Sequence, residues 1–304
     1  MTFPIINVPS DASTQLEQLG TKAKFWYWSD DGRRMLFKEG RPGTGENWSE
    51  KVCCEIARQL GLPHAEYDLA LWRDRKGVAS PSLVPEGDRL ILGNELLVRF
   101  FDKYETTVRY RASQHTLRRA AAALQHPSIE VPIGWHRPPE MTSAVSVFVG
   151  YLLLDALVGN QDRHHENWGL IISTEGGLSL APTFDHASSL GRNETDENRN
   201  ERLTTKDKGH SMEAYVERAR SGLYETHTSK RSMTTLDAFM EGAKIDSIAG
   251  RYWLERLVAL QPHEFREILD QIPDDWISPA ARNFSFAMLK INRHRLIAES
   301  KLFP

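Results

Sequence analysis

Cysteine is almost absent: there are two in 304 residues, Cys53 and Cys54, and they are adjacent. Neighbouring cysteines cannot form an ordinary staple, so a disulfide framework is excluded and a reducing, cytoplasmic setting is expected. An excess of one charge is also lacking. The 38 basic and 41 acidic residues leave a net charge of −3, which offers no polycationic face to nucleic acid or membrane. No apolar run is long enough for a bilayer. The longest ends at Val158, is broken by Ser146, Gly150 and Asp155, and falls short of the about 18 uninterrupted residues that a span needs. The opening MTFPIINVPSDAS has neither a basic start nor a long apolar segment, so no secretory leader is expected. Repeats and extended low-complexity segments are missing too. What remains is an ordinary globular composition, 40% hydrophobic and 26% charged, in a chain long enough for one large domain or two lobes.

Residues 1–105 look like strands around one helix. KFWYW (24–28) and RMLFKE (34–39) flank the turn Ser29-Asp30-Asp31-Gly32 and predict a hairpin. NWSEKVCCEIARQLGL (47–62) places Trp48, Val52, Cys53, Ile56, Ala57 and Leu60 on one helical face, with Gly61 and Pro63 as the stop. EYDLALWR (66–73), DRLIL (88–92) and ELLVRFF (95–101) read as further strands. From about residue 106 to 304 helical periodicity dominates, in 116–125, the run to Val158, 211–220, 237–242, 263–272 and 281–300. The fold class expected is α+β and bilobal, with a small β-rich N-lobe (1–105) and a larger all-helical C-lobe (106–304). The polar stretch 191–209 reads as a long loop.

One segment stands out. GNQDRHHENWGL (159–170) sets two acids, two His and two Asn directly behind the buried run VSVFVGYLLLDALV (145–158), and buried polar groups are costly unless something pairs them. Asp162 and Asn167 are followed by LIISTEGGLSLAPTF, which reads as a β-hairpin returning Asp185 close to Asn167. A carboxylate to take a hydroxyl proton, plus an amide oxygen and a second carboxylate to hold Mg²⁺, is the set that phosphoryl transfer from ATP requires. Asp-x4-Asn, a hairpin and Asp is the spacing of protein-kinase-like folds. Such a fold also demands a strand Lys and a Glu on the next helix. Lys38 ends RMLFK, and Glu50 lies in the first turn of the helix that follows.

DALVGNQDRHHENWGLI with LAPTFDHASSLG resembles the HipA-like bacterial serine/threonine kinases. LFKEGRPGTGENWSEKVCCEIARQLGLP resembles their nucleotide-binding lobe, and GVASPSLVPEGDRLILGNELL the stretch that follows it in compact members. The resemblance spans roughly residues 20 to 240. It implies ATP and Mg²⁺ as cofactors, Asp162 as catalytic base, His164 as the loop histidine, Asn167 and Asp185 as metal ligands, and Lys38 paired with Glu50. It implies a protein substrate, in related toxin kinases an aminoacyl-tRNA synthetase, and allows an antitoxin as partner; the charge balance gives no reason to expect direct nucleic-acid or membrane contact. Full-length members carry an extra N-terminal subdomain of roughly a hundred residues. With so little chain before Gly20, that subdomain is expected to be missing. The phosphate loop departs from the glycine-rich pattern. Upstream of Lys38 only EQLGTKAKFWY (17–27) is available, with Gly20, Thr21 and Lys22 as its nucleotide-binding candidates. Gly43-Thr44-Gly45 comes after Lys38 and reads as a turn into the Glu50 helix. Ser10, Ser13, Thr14 and Thr21 are autophosphorylation candidates by position.

Plainer readings exist for each residue. Lys38 and Glu50 make a surface ion pair, Asn167 caps a turn, and Asp185 is a loop residue. His164, His165 and His186 beside the two acids would suit a metallohydrolase, although adjacent histidines point to opposite sides of the backbone. Arg163 is either a brace for an anionic segment or an exposed salt bridge. Arg192, Arg199, Arg202 and Lys206 read as a solvated loop. The rival functions are a phosphatidylinositol or small-molecule kinase and a nucleotide-binding pseudokinase.

Overall fold

A computed structural model describes residues 2–12, 24–108 and 110–299. Gly20, Thr21 and Lys22, with Ser13 and Thr14, lie outside the described residues. Its first sheet has the order β1 (Ile5–Asn7), β4 (Asp68–Trp72), β5 (Arg75–Pro81), β3 (Arg34–Glu39), β2 (Lys24–Trp28), antiparallel except for the β1–β4 pair. The β2–β3 hairpin is the one predicted, with Ser29 and Arg33 closing the turn and Gly32 at φ 78°. Side chains alternate across a strand. Phe25, Tyr27, Met35 and Phe37 therefore pack with Trp72 on one face, and Leu36 and Lys38 turn to the other. That other face receives α1 (Glu46–Leu60), which ends at Gly61 in the left-handed region. Gly45 starts it, because a Cβ there would strike the Trp48 ring at 2.2 Å.

The second half is organised around α4 (Ala144–Val158). All 15 of its residues are buried, as expected for a helix apolar on every side. Ser143 caps its start and Gly159, left-handed at φ 62°, ends it. α7 (Thr235–Ile245), α8 (Ser247–Ala259) and α10 (Pro279–Glu299) surround it, joined by α9 (Pro262–Asp270). The helical region also contains one small sheet, in the order β6 (Arg89–Leu92), β8 (Gly169–Ile172), β9 (Leu178–Leu180), β7 (Ile129–Glu130). The β8–β9 hairpin is the predicted one. β6 pairs with β8, so a strand from the first hundred residues joins the second sheet.

Two readings of local structure are corrected. ELLVRFF is not a strand but most of α2 (Gly93–Phe100). A short apolar run is ambiguous in period, and here Glu95 decides it by accepting a hydrogen bond from the Leu92 N–H at 3.0 Å. The polar stretch 191–209 is not a plain loop, for it contains α5 (Asp196–Thr204). Thr195 caps it, and Asp196 and Glu197 sit favourably at the positive end of the helix. Among the described residues, no helix is long and apolar enough to cross a membrane.

Candidate active site

Lys38 is the next-to-last residue of β3, in register with Lys24 of β2 on one side and Val78 of β5 on the other. Its Nζ donates to Glu50 Oε2 at 3.2 Å and to Asp185 Oδ1 at 2.8 Å. Glu50 is buried, and its other oxygen accepts the His186 N–H at 2.7 Å. Thus one carboxylate of α1 holds both the strand lysine and the backbone beside Asp185. Asp185 itself is left-handed at φ 60°, and its N–H donates to the Tyr67 hydroxyl at 3.4 Å. The Tyr67 ring lies 5.6 Å from Lys38 Nζ, close enough for a cation–π contact.

The charges of this trio are set by competition. Burial alone would discharge Lys38, but the carboxylates of Asp185 and Glu50 hold its proton and raise its pKa. Burial would likewise raise Asp185; the Lys38 charge and hydrogen bond overcome it and keep the carboxyl below its ordinary range. Glu50 is the loser, since burial and the neighbouring Asp185 outweigh Lys38 and its pKa rises.

The loop after α4 is fixed from below. Arg163 is fully buried and takes Asp155 of α4 bidentately, through Nε at 2.7 Å and Nη2 at 2.8 Å. Nη1 donates to the Asn167 carbonyl at 2.6 Å, and Nη2 donates also to Thr183 Oγ1 at 3.0 Å. Neither suggested role for Arg163, a brace for an anionic segment or an exposed salt bridge, describes this. It is an internal staple between α4, the 160–167 loop and the segment ahead of Asp185. Asn160 completes the base, donating to Asp155 Oδ1 at 2.8 Å and accepting from the Asp162 N–H at 3.1 Å.

On that base the Asp162 carboxylate receives Ser188 Oγ at 3.3 Å and stands 3.5 Å from His164 Nε2. His164 Nδ1 accepts from the Glu166 N–H, so its ring is oriented within the loop. Asn167 spends its amide nitrogen on the Asp162 carbonyl at 2.7 Å, which identifies its other terminal atom as the amide oxygen, an acceptor. An amide oxygen and the Asp185 carboxylate are hard donors, and this set fits Mg²⁺. His165 faces elsewhere, with Nδ1 at 2.8 Å from the Tyr104 hydroxyl, and His186 Nε2 lies 2.9 Å from Thr183 Oγ1. Among the described residues, the one group of three ligand-type side chains close enough to share an ion is Cys54, His64 and Glu66, which includes none of the loop histidines.

Asp162 opens into a cavity of about 520 Å³, whose far wall includes Arg192, Arg202, Arg218 and Tyr215. The arginines read as a solvated loop are largely engaged. Arg192 pairs with Glu46 of α1, Arg202 with Glu194, and Arg199 is buried against Asp196. Sequence reasoning missed Asp155, Ser188 and Tyr67. Asp155 did leave a signal, as the one charge inside an otherwise apolar helix.

A strand lysine bonded to a helix glutamate and a hairpin-borne Asp, with an Asp/Asn loop tied to the residues on either side of that Asp, is the arrangement of a kinase-like fold. The chain belongs to the HipA-like family: its model, the HipA-like C-terminal domain, matches residues 18–272. Two solved structures share the architecture. The proinflammatory kinase CtkA of Helicobacter pylori superposes with a TM-score of 0.72 at 20% identity, covering 98% of each chain. The toxin HipA of Shewanella oneidensis, solved with HipB and operator DNA, gives 0.55 at 14% identity, covering 95% of this chain and 65% of that one. No curated protein matches the sequence.

Proposed function

We propose that this chain is an ATP- and Mg²⁺-dependent serine/threonine protein kinase of the HipA-like type, acting on a protein hydroxyl and on itself. The observation that carries the reading is the pair of hydrogen bonds that Lys38 donates, one to Glu50 and one to Asp185. It joins residues 147 positions apart, from two separate motifs, in one cluster at the cleft. Lys38 would neutralise the nucleotide phosphates, and Glu50 keeps its ammonium aimed at them. Bound Mg²⁺, held by Asn167 and Asp185, would draw off charge from the phosphates. Asp162 orients the acceptor hydroxyl and takes its proton as the new O–P bond forms and the γ-phosphoryl leaves ADP. Ser188 and His164 fix the Asp162 carboxylate for that task. The nucleotide cleft then lies between the lobes assigned to 1–105 and 106–304. An antitoxin partner and a toxin role follow as proposals from the Shewanella HipA, which is solved with HipB.

The test is incubation with γ-labelled ATP and Mg²⁺, alone and with lysate, beside Asp162→Asn. Label on protein from the wild type is expected, with at least a hundredfold less from the variant. Equal label from both would sink the assignment of Asp162. A melting shift with nucleotide but no label would instead favour a nucleotide-binding interaction module, and label on a small molecule or lipid the other rival.

A further inference from the structure

Behind the catalytic loop lies a second concavity, of about 430 Å³, with Arg111, Arg220, Lys230 and Arg231 converging on it. Ser113, Ser229 and Ser232 supply hydroxyls to the same wall, and among the described residues no carboxylate lines it. None of the four cations takes part in an ion pair among the described residues; Arg220 alone is anchored, by donating to the Ser232 carbonyl. In a chain with more acidic than basic residues, four unpaired cations in one hollow are not an effect of composition. Like charges held together repel, and an anion with two charges and several acceptor oxygens relieves that repulsion.

The hollow is built from two segments that also back the catalytic loop. In one, Tyr110 packs edge-on to His164 at 5.6 Å between ring centres, directly before Arg111. In the other, Gly222 lies so close that a Cβ there would fall 2.6 Å from the Arg163 carbonyl. His115 Nδ1 and the Gly222 carbonyl, 3.0 Å apart, join the segments, as does the Tyr224 N–H donating to the His115 carbonyl. An anion bridging Arg111 to Arg220, Lys230 and Arg231 would draw the same two segments together.

We propose that this hollow is a receptor for a phosphate monoester dianion, and that filling it stiffens the support of the 163–168 loop. A single small hollow that offers three hydroxyls beside its cations suits a terminal phosphate with its three free oxygens better than the extended backbone of a nucleic acid. The phosphate has two sources: a phosphorylated hydroxyl of this chain, or a separate phosphate ester.

The test uses phosphatase-treated full chain and thermal melting in inorganic phosphate against chloride at matched ionic strength. A saturable rise in melting temperature is expected in the wild type and in Lys38→Ala, which excludes the nucleotide cleft as its origin. It should vanish in Arg111→Ala/Lys230→Ala, where both side chains are exposed and truncation leaves the core intact. No rise in the wild type, or an undiminished rise in the double variant, overturns the site. Chain purified without phosphatase separates the sources. A phosphorylated mass with a blunted response assigns the phosphate to this chain; an unmodified mass with a full response assigns it to a separate ester. Binding of labelled single-stranded RNA that depends on these residues, without a phosphate response, would overturn the proposal in favour of nucleic acid. Hydrogen exchange reports the coupling: phosphate should slow exchange in residues 163–168, and unchanged exchange would overturn that part.

Discussion

Two clusters of charge lie close together in this molecule and differ in one respect, access to water. Asp155 and Arg163 are closed in, with side chains 2% and 0% exposed. Lys38 and Asp185 open to the cleft at 21% and 36%. In the closed cluster, every nitrogen of Arg163 meets a protein acceptor and nothing is left over for a ligand. In the open one, Lys38 balances two carboxylates whose protonation preferences have been pushed apart. Perturbed groups in a cleft point to chemistry, whereas saturated ones point to architecture. The loop of Asp162 and Asn167 is therefore carried by one cluster and presented to the other.

Breaking the closed cluster should cost the most. Arg163→Met leaves Asp155 buried without its counter-ion, and urea unfolding should show a loss of about 3–5 kcal/mol. Asp155→Leu/Arg163→Met should recover much of that, because the penalty comes from the orphaned charge. A loss below about 1 kcal/mol in the single variant would erase the contrast drawn here. Lys38→Ala should behave in the opposite way. Phosphoryl transfer should fall about a hundredfold, equivalent to about 2.7 kcal/mol, while unfolding shifts by less than it does in Arg163→Met. The fold tolerates this change because Glu50, whose pKa burial already raises, can take up a proton when its partner goes. Steady transfer with lost stability would mean that the open cluster is structural after all.

How much of this the sequence disclosed depended on the range of the physics involved. Helix α1 and the β2–β3 hairpin were legible because periodicity and turn residues are local signals. Lys38, Glu50, Asp162, Asn167 and Asp185 were singled out by residue type and order, and the structure bonds three of them, Lys38, Glu50 and Asp185, into one cluster. Helices α2 and α5 were misread, since a short apolar run has no clear period and a polar segment hides a helix whose cap, Thr195, is its main cue. The burial of Arg163 was not legible. It depends on Asp155, Thr183 and the Asn167 carbonyl meeting at one point, which only the packed α4 and β8–β9 elements bring about. Likewise, nothing local marks Tyr67 as the residue beneath Lys38.

The closed region should also resist protons, and His115 offers the finest test of that. It stacks on Trp168 with ring centres 6.2 Å apart, and its Nε2 accepts the Trp168 Nε1–H at 3.0 Å. The proton therefore sits on Nδ1 and is donated to the Gly222 carbonyl. Burial first, then the neighbouring His165, push its pKa down to about 3. In the unfolded chain the ring titrates near 6.5, so below that pH the unfolded state binds a proton that the folded state refuses. Its contribution is present in full above about pH 6.5 and is lost as pH falls toward 3. From pH 7 to pH 5 this group alone should remove about 1–2 kcal/mol of stability. His115→Gln cannot titrate, so urea unfolding at the two pH values should show a pH-dependent loss smaller by that amount, on top of a constant cost for the altered hydrogen bonds. An identical pH slope in both proteins would mean that water and protons reach the back of the 160–167 loop, and that the boundary between the closed and open clusters lies elsewhere.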